Sequence, residues 1–125
     1  MLLIDEINDK KCSCGKAHTF NSEIITGCGA IDRLPEILNK LNAKKAFVIA
    51  DKNTYSAAGE KVCDILKKNG TDFGKYIFKS ENLEPDEASV GLAVMNFDPA
   101  CDVVIGVGSG VINDISKITS AVSQK

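Results

Sequence analysis

The chain has 125 residues, 44% of them hydrophobic and 26% charged, with a formal net charge of −2. This is ordinary globular material of a size that supports one core, and without a basic face it offers no surface for DNA, RNA or anionic lipid. No apolar stretch approaches the roughly 20 residues that span a bilayer, and Met1 to Asp9 is short and acidic where a signal peptide is basic and then apolar; a cytoplasmic protein with no nucleic-acid or membrane partner is expected.

Residues 1 to 11 alternate apolar and acidic side chains without a clear period and read as a short helix or an irregular lead-in that extends to residue 21. Within it, Cys12, Cys14 and His18 stand in a C-x-C-x3-H spacing that can place two thiolates and an imidazole on one soft metal. Three ligands within seven residues need a fourth from elsewhere, so the expectation is a glycine turn with small free thiols and no tight metal site. The five cysteines are odd in number and scattered, which suits free thiols in a reducing compartment. His18 is the single histidine, so no mechanism that needs two can be complete within this chain.

Ser22 to Thr26 carries the β-branched pair Ile24 and Ile25 and reads as a first strand, broken by Gly27-Cys28-Gly29. Ile31, Leu34, Leu38 and Leu41, widened by Ile37, then recur at helical spacing, with Pro35 in the first turns and Asn42 as a stop. Ala46 to Ala50 is a continuous apolar run suited to a strand covered on both faces. Asp51 ends it, and an acid there suits either a ribose at the crevice of a parallel sheet or the capping of the next helix. Ala58, Val62, Ile65 and Leu66 mark that helix, closed by Asn69-Gly70. Phe73 to Phe78 is a further strand, Glu84-Pro85-Asp86-Glu87 a helix opening, and Ala88, Leu92 and Met95 the inward face of that helix.

Val103 to Val107 and the glycines that follow carry the strongest signal. A β-branched run is broken by Gly106, Gly108 and Gly110 and passes at once into Val111, Ile115, Ile118 and Val122, spaced as one buried helix face. A helix start presents backbone N–H groups with no internal partner, and the dipole adds roughly half a positive charge, so a phosphate docks where nothing bulky blocks it. Ser109 can donate a hydroxyl or cap the helix. The glycines serve either close approach of an anion or a tight strand-to-helix connection, and Val111 stands where the dinucleotide fingerprint wants its third glycine. Strands alternating with helices four times imply an α/β, Rossmann-like three-layer domain, mainly parallel, with helices on both faces. Its core is expected from Ile24, Val48, Ile49, Ile77, Val103, Val104 and Ile105.

Cys14-Gly15-Lys16 with His18, Ala50-Asp51-Lys52-Asn53-Thr54-Tyr55, and Gly106-Val107-Gly108-Ser109-Gly110 with Asn113-Asp114 together resemble the amino-terminal domain of bacterial sn-glycerol-1-phosphate dehydrogenases. Their superfamily joins iron-containing alcohol dehydrogenases, glycerol dehydrogenase and dehydroquinate synthase. Many of its members carry G-G-G-S where this chain has Gly106-Val107-Gly108-Ser109, and one extra residue separates the turn from Asp114, while Lys117 keeps its spacing after Asp114.

The resemblance implies a nucleotide-binding domain over residues 1 to 125, with NAD or NADP held by Asp51 at the adenosine ribose and by Gly108, Ser109, Gly110, Val111, Asn113 and Asp114 at the pyrophosphate and nicotinamide end. A carboxylate at the ribose leans towards NAD. The family's helical carboxy-terminal domain supplies one aspartate and two histidines to a divalent metal, zinc or nickel, and the substrate is a small phosphorylated polyol or ketone of glycerophospholipid metabolism. Such a set is absent here, so this chain is expected to be a fragment that binds cofactor without turnover. A homo-oligomer stays open. The alternatives are another branch such as glycerol dehydrogenase, or a nucleotide-binding module without redox chemistry.

Overall fold

The computed structural model describes residues 12–19 and 21–125, so the reading of residues 1 to 11 lies outside the described residues. The chain divides into two compact units, Met1–Ala30 and Ile31–Lys125. In the first, a turn at Cys12 to Lys16 is followed, over residues 21–26, by chain in no regular element. Residues 21 to 26 pair with no strand, and Ile24 is 42% exposed, so the first expected strand and its core residue are both corrected. Two β-branched residues favour an extended backbone, but a strand exists only where a neighbouring edge accepts its hydrogen bonds.

The second unit is built on three parallel strands, β1 (Lys45–Asp51), β2 (Asp72–Phe78) and β3 (Val103–Val107), in the order β2-β1-β3. A 3-10 turn, Ala30–Arg33, leads into α1 (Leu34–Lys40), which stops where Asn42 adopts φ +53°. After β1 the backbone runs helically through α2 (Lys52–Thr54), a π-helical segment (Tyr55–Gly59) and α3 (Glu60–Lys68), ending at Gly70 with φ +71°. Then follow α4 (Glu87–Asn96), whose cap is the Asp86 carboxylate accepting from Ser89 N–H at 2.8 Å, and α5 (Gly110–Ser123).

β1 is the centre of this unit. Ala46, Phe47, Val48, Ile49 and Ala50 are all 1% exposed or less. Alternate residues serve opposite faces, as the pleat requires. Phe47 and Ile49 pack with Phe78, Ala93, Cys101, Ile112 and Ile115 under α4 and α5. Ala46 and Val48 pack with Leu38, Val62 and Leu66 under α1 and α3. The parallel sheet with helices on both faces is therefore as expected. β2 and β3 flank β1 and are only half covered, so Ile77, Val103, Val104 and Ile105 are half-buried where full burial was expected.

Two helix faces also differ from expectation. In α4 the buried residues are Ser89 and Ala93, whereas Ala88 is exposed, Leu92 47% exposed and Met95 86% exposed. In α5 they are Ile112, Ile115, Ser116 and Thr119, and Ile118 and Val122 are exposed. α4 is apolar through most of its circumference, so periodicity leaves its inward direction undetermined; α5 is amphipathic, and packing turns its buried face by about one residue so that Ser116 and Thr119 go inward in place of Ile118 and Val122. At the amino ends of the strands, Asp102 Oδ2 accepts from Lys44 N–H at 2.7 Å and Lys45 N–H at 3.0 Å, tying β3 to β1. No described helix is long and apolar enough to cross a membrane.

Candidate functional site

The turn after β3 lies at the carboxyl end of the parallel sheet, where crevices form in open α/β folds. A groove of about 550 Å³ opens there, walled by Gly106, Gly108, Ser109 and Gly110 and continued along α5 by Asn113, Lys117 and Ser120. Ser109 stands at the N-cap in an extended conformation, and its hydroxyl makes no capping bond. The first bond of the helical pattern is Asn113 N–H to Ser109 C=O at 2.9 Å. The N–H groups of Gly110, Val111 and Ile112 precede it and have no acceptor within the helix. Lys117 makes no ion pair among the described residues. The groove thus offers uncapped donors, a hydroxyl, an amide and an ammonium to an anion.

The three glycines prove to have different reasons. A Cβ on Gly108 would lie 2.7 Å from Cβ and Cγ1 of Ile112, and one on Gly106 would collide with Ser116 Oγ and stand 3.0 Å from its Cβ. Both are demanded by the close approach of α5 to β3, that is, by a tight strand-to-helix connection. A Cβ on Gly110 would meet nothing within 4 Å. None of the three has a positive φ. Only Gly110 therefore keeps open a space that the fold itself does not need.

Of the residues singled out from sequence, Gly108, Ser109, Gly110 and Asn113 come together at this groove. Val111 is half-buried and packs on the α4 and α5 core cluster, and Asp114 is exposed and outside the groove wall. Asp51 ends β1 at the same edge of the sheet but caps α2: its Oδ1 accepts from Thr54 N–H at 2.9 Å while Thr54 Oγ1 accepts from Asp51 N–H at 3.0 Å. Its Oδ2 has no partner among the described residues. Ser116, Ser120 and Val104 also line the groove. Asn113, Lys117 and Ser120 recur at four and three residues, a signal that reads equally as a solvated helix face.

In the first unit, the ligand atoms of Cys12, Cys14 and His18 all lie within 4.8 Å of one another, and all three residues are exposed. Cys14 Sγ is 3.1 Å from His18 Nε2. Hydrogen bonds from the backbone and side chain of Cys14, with a weaker one from Ser13, hold the Cys12 thiol below its ordinary value.

A family model described as iron-containing alcohol dehydrogenase matches residues 25–125. The chain belongs to the iron-containing alcohol dehydrogenase family. Among the curated relatives of this family member, the glycerol-1-phosphate dehydrogenase [NAD(P)+] of Halalkalibacterium halodurans is 35% identical over 115 residues, covering 88% of this chain and 29% of the relative. The enzyme of the same name from Geobacillus thermodenitrificans is 27% identical over 123 residues, covering 94% and 30%. The chain thus spans about 30% of the length of the curated relatives it matches. A crystal structure of NADH-dependent butanol dehydrogenase A from Thermotoga maritima shares the fold, with a TM-score of 0.60 at 22% identity over 82% of this chain and 27% of that one.

Proposed function

We propose that this chain is the nicotinamide-dinucleotide-binding part of a metal-dependent, cytoplasmic dehydrogenase that interconverts dihydroxyacetone phosphate and sn-glycerol 1-phosphate. Family membership and the names of the relatives support the reaction class. The observation that carries the cofactor reading is the space beside Gly110 at an uncapped helix start.

The residues present suit a dinucleotide. The N–H groups of Gly110, Val111 and Ile112 would hold pyrophosphate oxygens, since a helix start combines free donors with a positive dipole end. Ser109 would donate its hydroxyl, and Asn113 and Lys117 would supply further donors along the groove wall. Asp51 Oδ2 would accept from a ribose hydroxyl at the same sheet edge, a role supported by the cap that orients the carboxylate through Oδ1. The nicotinamide, when bound, supplies the hydride donor or acceptor. The aspartate and two histidines that the resemblance assigns to the catalytic metal have no counterpart, since the chain has one histidine.

Titration of the 125-residue chain with NAD and NADH to millimolar concentration, followed by amide signals, tests the reading. Shifts at Gly106 to Lys117 and around Asp51, lost in Gly110→Val, are expected. No shift at saturating cofactor, or a Gly110→Val variant that binds as well as the natural sequence, would overturn it.

A further inference from the structure

We infer that Cys12, Cys14 and His18 form a zinc site whose fourth position is open to solvent. Spacing alone argued against a closed shell, because three ligands in seven residues leave a tetrahedral ion incomplete. The geometry changes the balance. Zinc bonds of about 2.3 Å to sulfur and 2.0 to 2.1 Å to nitrogen, at a tetrahedral angle, put sulfur and nitrogen about 3.5 Å apart and two sulfurs about 3.8 Å apart. Cys14 Sγ and His18 Nε2 are 3.1 Å apart, and the whole set lies within 4.8 Å, so side-chain adjustments of about an ångström complete the shell.

The backbone is already arranged for this. Cys12 N–H donates to Lys16 C=O at 3.0 Å and Gly15 N–H to Cys12 C=O at 2.9 Å, closing a turn that carries both cysteines. Gly15 holds φ +82°, a conformation that a residue with a Cβ adopts only at a cost. Two thiolates and one imidazole are soft and borderline donors, which select zinc over calcium or magnesium. Two thiolates also neutralise the dication, so no further carboxylate is required. All three residues are exposed and no fourth ligand joins them among the described residues, which leaves the fourth position to water, the arrangement of three protein ligands plus solvent found in open zinc sites. The remaining thiols do not join: Cys63 and Cys101 are buried in the other unit, and Cys28, though exposed, is outside the cluster.

The test uses the reduced, chelator-treated 125-residue chain and zinc alone, in competition with a chromophoric chelator. One zinc per chain is expected, with affinity falling about 100-fold or more in Cys12→Ser, Cys14→Ser and His18→Ala, because even loss of an outer-shell partner costs 10- to 100-fold. Cys28→Ser should bind as the natural sequence does. Gly15→Val should weaken binding without removing any ligand. Cobalt in place of zinc should give tetrahedral visible bands and a thiolate charge-transfer band that falls by half in either Cys→Ser variant. Circular dichroism confirms that each variant is folded. The inference is overturned by a chain that takes up no zinc from the chelator, by one zinc per two chains, by zinc affinity that survives the double Cys12→Ser, Cys14→Ser substitution, or by loss of binding in Cys28→Ser.

Discussion

Gly108 and Gly110 occupy one turn, yet the structure requires opposite outcomes when each is replaced by alanine. At Gly108 the added Cβ would sit 2.7 Å from Cβ and Cγ1 of Ile112, a residue only 1% exposed and part of the core beneath α5. The obstructing atoms are fixed to the helix backbone, so relief requires α5 to move away from β3. Overpacking of this kind costs about 1 to 3 kcal/mol. For a domain of roughly 100 residues each kcal/mol moves the melting temperature by about 4 to 8 °C, so Gly108→Ala should melt roughly 5 to 20 °C lower. At Gly110 the new methyl meets nothing within 4 Å and φ is not positive. Removing a glycine from the unfolded ensemble contributes about 0.4 to 1 kcal/mol, so Gly110→Ala should melt at the same temperature or a few degrees higher. Its dinucleotide affinity should nevertheless fall by about tenfold, equivalent to roughly 1.4 kcal/mol, because the methyl enters the space at the uncapped N–H groups. Thermal unfolding by circular dichroism and titration with NADH measure the two effects separately. A Gly108→Ala protein as stable as the natural one, or a Gly110→Ala protein that loses stability and keeps its affinity, would refute the reasoning.

Asp51→Ala removes a capping box and should cost about 0.5 to 2 kcal/mol in urea unfolding, whereas Asp51→Asn, which keeps an acceptor, should cost less. Ile49→Ala, at the sealed centre of the sheet, should cost about 2 to 5 kcal/mol, and Ile77→Ala on the half-covered β2 clearly less; equal losses would contradict the strand order. Acid unfolding should follow the carboxylates that are held low: Asp98 by Lys45, Asp102 by the Lys44 and Lys45 N–H groups, and Asp86 by Ser89. Since their folded values lie below the unfolded value of about 3.9, the stability they contribute is complete above that pH and declines as pH falls through the folded values. Asp102→Asn should flatten that decline in a pH series of melting curves, and an unchanged slope would show that the tie to β1 carries no linkage.

The periodicity of the chain determined the class of the fold. Continuous apolar runs at Ala46 to Ala50 and Val103 to Val107, alternating with helical stripes, admit a parallel sheet with helices on both faces and little else. Local chemistry likewise determined the helix stops at Asn42 and Gly70, where a left-handed backbone is needed, and the start of α5 at the last of the three glycines. These features depend on neighbours in sequence, so they are legible there. Three matters were left to tertiary structure. One is the strand order: the apolar run at β1 suits a strand covered on both faces, but only pairing sets the order β2-β1-β3 and leaves Val103, Val104 and Ile105 half-covered, while among the described residues the pair Ile24 and Ile25 finds no partner strand. The second is the rotation of α4 and α5: α4 is apolar on most sides and takes its inward direction from what it packs against, and in α5 packing buries Ser116 and Thr119 while Ile118 and Val122 stay exposed. The third is the division of labour in the glycine turn and the Cys12, Cys14 and His18 cluster. A glycine required by Ile112 and one that leaves room for a ligand are the same letter, and the 4.8 Å separation of two thiols and an imidazole depends on a turn whose closing hydrogen bonds no spacing rule contains.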